Sequence, residues 1–177
     1  MESKKLTKKE RFEKRYRQYY EMRARAVKKQ IEKRRDGIKK KRKKRSPNSV
    51  SSLIKKLTKV FNRYVRLRDC LATTGTRKFG VCISCGGIFP FERLDAGHWI
   101  NSTHSIYRFS EENVFIQCRH CNRFSHGNLI PYTLKLIERF GKDKIEEMEK
   151  NKYQIKKYTP DELRELIKLY QDKLNLI

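Results

Sequence analysis

The clearest hydrophobic pattern of this chain lies in residues 50–71, where apolar side chains recur every three or four positions. They form one face of a helical cylinder, and basic side chains occupy the rest of its circumference. The apolar positions are Val50, Leu53, Ile54, Leu57, Val60, Phe61 and Tyr64. The basic positions are Lys55, Lys56, Lys59, Arg63 and Arg66. The pattern predicts an amphipathic helix within residues 50–75, capped by Ser51 or Ser52 and followed by Thr74-Gly75, that docks on the rest of the protein.

Residues 1–49 carry a thinner stripe of apolar side chains, again at spacings of three and four. Its members are Phe12, Tyr16, Tyr20, Ala24, Val27 and Ile31. The run from Lys39 to Arg45 is unbroken positive charge, which cannot pack against a core. Ser46-Pro47-Asn48-Ser49 then breaks the pattern. The sequence predicts a basic N-terminal arm over residues 1–49, helical in part and otherwise disordered until it meets an anion.

Short apolar runs within residues 76–130 have the length and spacing of strands. One strand is expected to end near residue 81, and a turn follows at Gly86-Gly87. A second strand is expected from Ile88 to Ile100. After a polar loop, Val114-Phe115-Ile116 predicts a third strand. This segment therefore reads as a small β-rich core.

Helical spacing returns after the third strand, with a helix expected to begin near Cys121. Two further helices are predicted over residues 131–149 and 160–174. Thr159-Pro160 is a strong start for the last of them, since Thr caps a helix and Pro suits its first position. The fold class is therefore α+β, with C-terminal helices over residues 131–177 flanking the core.

Net charge narrows the range of partners. The chain has 45 Lys and Arg against 20 Asp and Glu, a formal charge of +25, and residues 1–45 contribute a net +16 of it. Such a surplus repels itself in a compact monomer and indicates a polyanionic partner, nucleic acid first and an anionic membrane surface second. No apolar stretch approaches membrane-spanning length, and the N-terminus lacks the apolar core of a signal peptide. We therefore expect an intracellular protein with no membrane partner.

Four of the five cysteines form two pairs, Cys82-x-x-Cys85 and Cys118-x-x-Cys121. Each pair brings two thiolates to one ion, and two pairs at this separation are typical of a structural zinc site. One pair on a β-turn and one at a helix start is the treble-clef arrangement, with Gly86 allowing the tight turn. We expect Zn²⁺ to hold the core in a reducing compartment, with free or redox-active cysteines as the alternative. Cys70 is expected to be an ordinary buried thiol.

Side chains suited to hydrolysing a phosphodiester lie between and just after the cysteine pairs. That reaction needs an activated water and charge relief at the phosphate, which an imidazole and a divalent metal supply. His98, Asn113 and Asn122 occur in the order that defines the ββα-metal, or HNH, nucleases, and this segment resembles them. The resemblance implies that His98 is the general base and that Asn122 binds Mg²⁺. It also implies that Asn113 holds the loop, and hence the His98 ring, through backbone hydrogen bonds.

Two more residues are candidate metal ligands. Asp95-Ala96-Gly97-His98 resembles the Asp-Arg-Gly-His motif of non-specific nucleases with the same ββα core. By likeness to phage Holliday-junction resolvases with a four-cysteine zinc site, Asp95 would be a second Mg²⁺ ligand. His126 comes four residues after Asn122 and would share its helix face if the helix continues. It is a candidate for a further metal ligand or a phosphate contact.

Basic residues near this segment are candidate DNA contacts. Arg119 lies within the second cysteine pair and Arg123 just after it, where they would reach the scissile phosphate or remain ordinary surface residues. Four basic residues of the 50–71 segment are further candidates, namely Lys55, Lys59, Arg63 and Arg66. Phosphate contacts give affinity without sequence preference. The chain lacks a recognition-helix pattern for reading bases, so structure-selective binding is favoured.

A more specific family resemblance covers roughly residues 50–150. It is carried by FNRYVRLRD at 61–69, CISCG at 82–86, DAGH at 95–98, QCRHCNR at 117–123 and Gly127-Asn128-Leu129. These segments resemble the phage NinG (Rap) recombination nucleases. The resemblance implies a phage-encoded, metal-dependent endonuclease in the host cytoplasm that cleaves branched DNA such as Holliday junctions and D-loops with Mg²⁺ or Mn²⁺. That family commonly has another cysteine-rich element near its N-terminus, whereas residues 1–69 here contain no cysteine.

Two other functions fit parts of the same pattern. One is a zinc-stabilised DNA-binding protein without chemistry, and the other is an HNH endonuclease of homing, restriction or DNA packaging. His98 with Asn122 separates the first of these from a nuclease, because a pure binding module needs neither. A homodimer would suit paired incision of two-fold symmetric DNA, and apolar stripes in the C-terminal helices either form its interface or pack on their own domain. The stripe residues are Leu134, Ile137, Phe140, Ile145, Leu163, Leu166, Ile167, Tyr170 and Leu174.

Overall fold

A computed structural model describes residues 7–40 and 46–177, which fall in two compact units, Met1–Arg45 and Ser46–Ile177. In the first unit, helix α1 spans Lys8–Lys40. Its apolar stripe is exposed, and Thr7 and Glu10 exchange hydrogen bonds at its start. The expectation that the run from Lys39 to Arg45 stays unpacked concerns mainly residues 41–45, which lie outside the described residues.

The second unit combines four helices with two small antiparallel sheets, so the α+β class is confirmed. Helices α2, α3, α4 and α5 span Val50–Thr74, Leu129–Phe140, Lys142–Asn151 and Pro160–Asn175. Strands β1, β2, β3 and β4 span Phe79–Val81, Ile88–Pro90, Leu94–His98 and Val114–Cys118. Strand β1 pairs with β2, and β3 pairs with β4 so that His98 lies opposite Val114. None of the helices in the described part of the chain is both long enough and apolar enough to cross a bilayer.

Helix α2 contributes one face to the main apolar core. Ser49, rather than Ser51 or Ser52, is its N-cap, because the Ser49 hydroxyl accepts from the backbone N–H of Ser52. The apolar face packs against α5. There the rings of Phe61 and Tyr170 contact edge to face, with their centroids 4.9 Å apart. The opposite face leaves four basic side chains in solvent, Lys55, Lys56, Lys59 and Arg63. The capping box at Thr159 starts α5 as its sequence predicts.

The last turns of α2 hold strand β4 by polar contacts. Asp69 Oδ2 accepts from the backbone N–H of Ile116 at 2.9 Å, and Arg68 donates to the carbonyl oxygen of Val114 at 2.9 Å. Arg68 and Asp69 also pair with each other at 2.7 Å. These contacts join α2 to β4, the strand that begins directly after Asn113. They therefore fix the position of the β3–β4 hairpin along α2.

Two predicted elements are interrupted in the structure. The strand expected from Ile88 to Ile100 is broken by a 3₁₀ turn at Phe91–Arg93, which separates β2 from β3. The helix expected over 131–149 is two helices, because Gly141 adopts φ +83° and its N–H closes α3 on the carbonyl of Ile137. Helix α3 begins two residues earlier than predicted, at Leu129.

The C-terminal apolar stripes are largely used within their own unit. The residues of α3 and α4 pack in a cluster with Tyr132 and Met148, and those of α5 pack against α2. Leu134 is the stripe member that stays exposed. Packing within the unit therefore accounts for the apolar pattern that a homodimer interface would otherwise explain, and the dimer remains a prediction.

Candidate functional site

The four paired cysteines converge on one point of the second unit. The sulfur atoms of Cys82, Cys85, Cys118 and Cys121 all lie within 4.8 Å of one another, and those of Cys85 and Cys118 are 4.0 Å apart. Tetrahedral zinc with Zn–S bonds of about 2.3 Å would separate its sulfurs by about 3.8 Å. The donor set and its spacing are thus consistent with a structural Zn²⁺ site.

Local backbone geometry presents both pairs. Gly86 adopts φ +70°, and its N–H donates to the carbonyl of Cys82 at 2.9 Å, which closes the first knuckle. The second pair lies where β4 ends and a helical turn of the wide π type, His120–Phe124, begins. A bound zinc would therefore join the β1–β2 hairpin to the end of β4.

Protons and a metal ion would compete for the thiols of this cluster. Burial, together with the neighbouring thiols of Cys118 and Cys82, raises the pKa of Cys121 to about 12. Without a cation this thiol keeps its proton at neutral pH. A divalent ion displaces the proton on binding, so the cluster should hold its metal more weakly as the pH falls.

His98 ends strand β3 with its ring partly buried. Its Nε2 lies 2.9 Å from the carbonyl oxygen of Arg108. Because a carbonyl only accepts, Nε2 must carry the proton, and Nδ1 is left as the basic nitrogen. Burial lowers the pKa of His98, and the hydrogen bond to Arg108 only partly opposes this effect. The ring is therefore neutral at pH 7, in the form that accepts a proton.

Asn113 is completely buried at the far end of the loop that follows His98. Its Oδ1 accepts from the backbone N–H of Ile100 at 2.7 Å. Its Nδ2 donates to the carbonyls of Ile100 at 2.8 Å and of Tyr107 at 3.0 Å. The side chain ties together both ends of the loop that supplies the Arg108 carbonyl, so the His98 ring depends on Asn113 for its support.

Asp95 lies beside Asn122, and both its oxygens are engaged. Arg123 donates to them from Nε at 2.7 Å and from a terminal nitrogen at 2.8 Å, and Asn122 Nδ2 donates at 3.2 Å. Partial burial of the carboxyl opposes ionisation, but these bonds prevail and hold the pKa of Asp95 below its usual value. Since the Asn122 amide turns its nitrogen to Asp95, its Oδ1 is left for another partner.

One polar pocket of ≈ 450 Å³ gathers several of the predicted residues. His98, Asn122, Arg123 and His126 line it together, whereas Asp95 does not. The helical turn ends at Phe124, so His126 does not reach the pocket along a shared helix face as its spacing predicted. His126 instead lines the pocket from a left-handed backbone conformation, with φ +48°.

The predicted DNA contacts fall into two groups. Lys55, Lys59 and Arg63 are exposed on α2. Arg119 is exposed but donates to the carbonyl of Glu92 at 2.7 Å, and Arg123 is held by Asp95. Arg66 is used inside the fold, since its guanidinium lies 3.8 Å from the centre of the Phe91 ring and donates to the Phe91 carbonyl. Its contribution to DNA binding would require that this packing open.

Two supporting residues were not anticipated from the sequence. Tyr132 is fully buried and donates to the carbonyl of Gly97 at 2.9 Å, while its hydroxyl accepts from the N–H of Phe115 at 3.0 Å. Gln117 is also fully buried beside Gly97, where an added Cβ would lie 2.1 Å from Gln117 Oε1. A polar residue inside an apolar strand was the available signal for Gln117, and helix periodicity gave none for the role of Tyr132.

Comparison with known proteins places the chain in a family. The sequence model of a family described as "Bacteriophage Lambda NinG protein" matches residues 1–177. The chain belongs to the NinG family. The family part of the resemblance noted over residues 50–150 is thereby confirmed, and the NinG match extends over residues 1–49 as well.

Individual NinG proteins match the chain over a shorter region. Those named "Protein ninG" from Escherichia phage 933W, Escherichia phage lambda and Salmonella phage P22 are each 34% identical over 122 residues, 68% of this chain. The matched region is 56%, 55% and 55% of their respective lengths, so the chain spans about half the length of the curated relatives it matches. No solved structure matches the chain.

Proposed function

We propose that this NinG-family protein is a metal-dependent DNA endonuclease with a zinc-stabilised, treble-clef or ββα-metal (HNH-like) core. One observation carries the proposal: His98, Asn122 and His126, from a strand and from the segment after the second cysteine pair, line a single polar pocket. The β3–β4 hairpin followed by a helical turn supplies the ββα order. A polyanionic substrate agrees with the charge of +25.

The residues present suit a second, catalytic cation. Asn122 Oδ1 is oriented for a ligand by the bond from its amide nitrogen to Asp95, and His126 is an exposed imidazole in the same pocket. Oxygen and imidazole donors fit Mg²⁺ or Mn²⁺. When bound there, the ion would polarise the phosphate and the attacking water. Asp95 would act on this site by orienting Asn122, because its own oxygens are occupied by Arg123 and Asn122.

His98 performs the proton transfer in this proposal. Its Nε2–H is anchored on the Arg108 carbonyl, so Nδ1 accepts the proton of the attacking water. Asn113 holds the loop that bears this carbonyl. Arg119 and Arg123 are the cations nearest the second cysteine pair and would contact phosphate there. Arg123 would do so while it neutralises Asp95.

Branched DNA is the proposed substrate, as the resemblance to NinG recombination nucleases implies, and cleavage would take place in the host cytoplasm. The test is a panel of Holliday junctions, D-loops, flaps and linear duplex, incubated with purified protein and Mg²⁺ or Mn²⁺. We expect incision of branched substrates in preference to linear duplex. Preferential cutting of linear DNA would favour the homing, restriction or packaging alternative. Binding without any cutting would leave the non-catalytic DNA-binding alternative. Sedimentation with and without DNA tests the homodimer.

The exposed basic face of α2 is the proposed path for the DNA backbone. Changing Lys55, Lys59 and Arg63 together to alanine should weaken DNA binding without unfolding the protein, because all three side chains are in solvent. For every phosphate that the variant no longer neutralises, the slope of log affinity against log salt should become shallower by about 0.9. Fluorescence anisotropy over a salt series measures both the affinity and the slope.

A matched triple variant separates local contact from overall charge. Lys142, Lys150 and Lys168 are exposed on α4 and α5, and their change to alanine removes the same charge. This control should retain the slope of the parent protein. Equal decreases in the two triple variants would show that the α2 face has no special role.

A further inference from the structure

Gln117 is a buried amide whose two N–H groups bridge separate parts of the site. Its Nε2 donates to Ser84 Oγ at 2.6 Å and to the carbonyl oxygen of Gly127 at 2.5 Å. The carbonyl only accepts, so the amide nitrogen must face it, and this fixes the orientation of the side chain. Ser84 lies between Cys82 and Cys85. The amide therefore links the first zinc knuckle to the chain beyond the second.

The fold is arranged around this amide. Gly97 provides the space, since an added Cβ would lie 2.1 Å from Oε1 and 2.7 Å from Cδ of Gln117. Oε1 itself is buried without a hydrogen-bond partner among the described residues. An unpartnered buried oxygen is unfavourable, and an apolar side chain at this position would avoid it. The favourable contacts of this amide are therefore the two hydrogen bonds that its nitrogen donates, to Ser84 and to Gly127.

The segment held by Gln117 has an unusual backbone. His126, Gly127 and Asn128 have successive φ values of +48°, +86° and +42°. Residues that carry a Cβ rarely adopt positive φ values, and neighbouring contacts are needed to hold them in this left-handed conformation. The Gly127 N–H donates to the carbonyl of Cys121 at 2.9 Å, and Gln117 holds the carbonyl on the other side of the same residue.

We propose that Gln117 is a positioning residue that keeps His126 in the pocket by fastening the left-handed segment 126–128 to the zinc knuckle. The inference rests on the metal site proposed above and deepens it. Asn128 adds a second fastening, since its Nδ2 lies 3.5 Å from Cys121 Sγ. Without the amide of Gln117, the peptide between Gly127 and Asn128 loses its anchor, the left-handed segment relaxes, and the imidazole of His126 leaves its ligand position. We expect zinc binding by the four cysteines to persist, because none of their sulfur atoms takes part in the hydrogen bonds of Gln117.

The test replaces Gln117 with methionine, which has similar length and no amide. Mn²⁺ binding to zinc-loaded, full-length protein is measured by electron paramagnetic resonance, together with zinc content and circular dichroism. We expect Mn²⁺ affinity to fall at least tenfold while the zinc content and the helical signal are retained. Cleavage should recover as Mn²⁺ is raised, because the ligand is displaced rather than removed. Gln154→Met, at an exposed position on another segment, should leave Mn²⁺ affinity unchanged.

The outcomes separate this inference from the proposed function. Unchanged Mn²⁺ affinity in a folded Gln117→Met protein overturns the positioning role and leaves the metal site intact. Absence of Mn²⁺ binding by the parent protein overturns the proposed metal site itself. If Gln117→Met does not fold, Ser84→Ala decides, since it removes the hydroxyl through which Gln117 is fastened to the zinc knuckle. Weaker Mn²⁺ binding in that variant supports the proposal, and unchanged binding contradicts it.

Discussion

Replacing Cys118 with serine is expected to release the zinc and unfold the part of the second unit that the metal joins. Strands β1 and β2 have three residues each, and the cysteine cluster has only Phe89 packed against it among the described residues. The cysteine cluster itself therefore has little apolar packing to replace the metal, whereas structural zinc in small domains contributes about 10–16 kcal/mol. Cys118 also ends β4, so its replacement loosens the turn that bears Asn122.

Zinc content, circular dichroism and cleavage together measure this effect. The variant should retain no stoichiometric zinc and should cut no DNA. Much of the helical signal should persist, because α2 and α5 pack on each other through an aromatic core remote from the cysteines. A strong chelator should reproduce the result in the parent protein, and more readily at acid pH, where protons compete for the thiolates.

Cys70 provides the control, since it is equally buried but lies outside the four-cysteine cluster. Its sulfur packs beside Leu94 and Ile116. Cys70→Ala should therefore keep one zinc per chain and cost only on the order of 1 kcal/mol of stability. A Cys118→Ser protein that still bound zinc one to one would refute a four-thiolate site.

Replacing His98 with alanine should abolish cleavage while leaving zinc and DNA binding in place. A positioned general base contributes roughly 10²–10⁴-fold to a rate, so the decrease should reach at least the lower end of that range. The ring is only partly buried, and its hydrogen bond goes to the loop carbonyl of Arg108, so the fold should tolerate the change. Single-turnover cleavage at saturating Mg²⁺ or Mn²⁺ isolates the chemical step.

The pH dependence gives an independent check on the base. Burial lowers the pKa of His98 from its ordinary value of 6.5, so the protonated, inactive form accumulates only below that pH. The cleavage rate should rise with pH through a limb centred below 6.5 and be level near pH 7. A limb centred well above 6.5 would point to a different group as the base.

His104 is a matched control for the His98 variant. Its Nδ1 also lies against a backbone carbonyl, that of Lys152 at 2.8 Å, but it does not line the polar pocket. His104→Ala should cut DNA at close to the parent rate. If His98→Ala and His104→Ala behaved alike, the base would have to be sought elsewhere, and a binding protein without chemistry would become the better interpretation.

The sequence predicted which residues form the candidate site better than it predicted how the elements that bear them are joined. Cysteine spacing identified the four sulfurs that converge, and the order of His98, Asn113 and Asn122 selected a strand end, a loop end and a turn. Periodicity found α2 and α5, because a helix face is set by residues three or four positions apart. It missed the interruption at Gly141, where one positive φ outweighs an otherwise continuous apolar pattern.

Contacts between distant segments were decided only by the tertiary structure. The sequence offered Asp95 as a metal ligand and Arg66 as a DNA contact. In the structure Arg123 and Asn122 donate hydrogen bonds to that carboxylate and Arg66 stacks on Phe91, and both roles remain predictions. Likewise His126 enters the pocket through a left-handed reversal rather than along a helix.

What the sequence determined by itself is thus the set of parts: the four clustered cysteines, the basic surplus, the amphipathic helices and the candidate base. Their residue types and short-range spacing carry that information. What only the tertiary structure decided is how each polar group is engaged, including Gln117 between Ser84 and Gly127. Such pairings depend on strand register and helix docking, which bring together residues tens of positions apart.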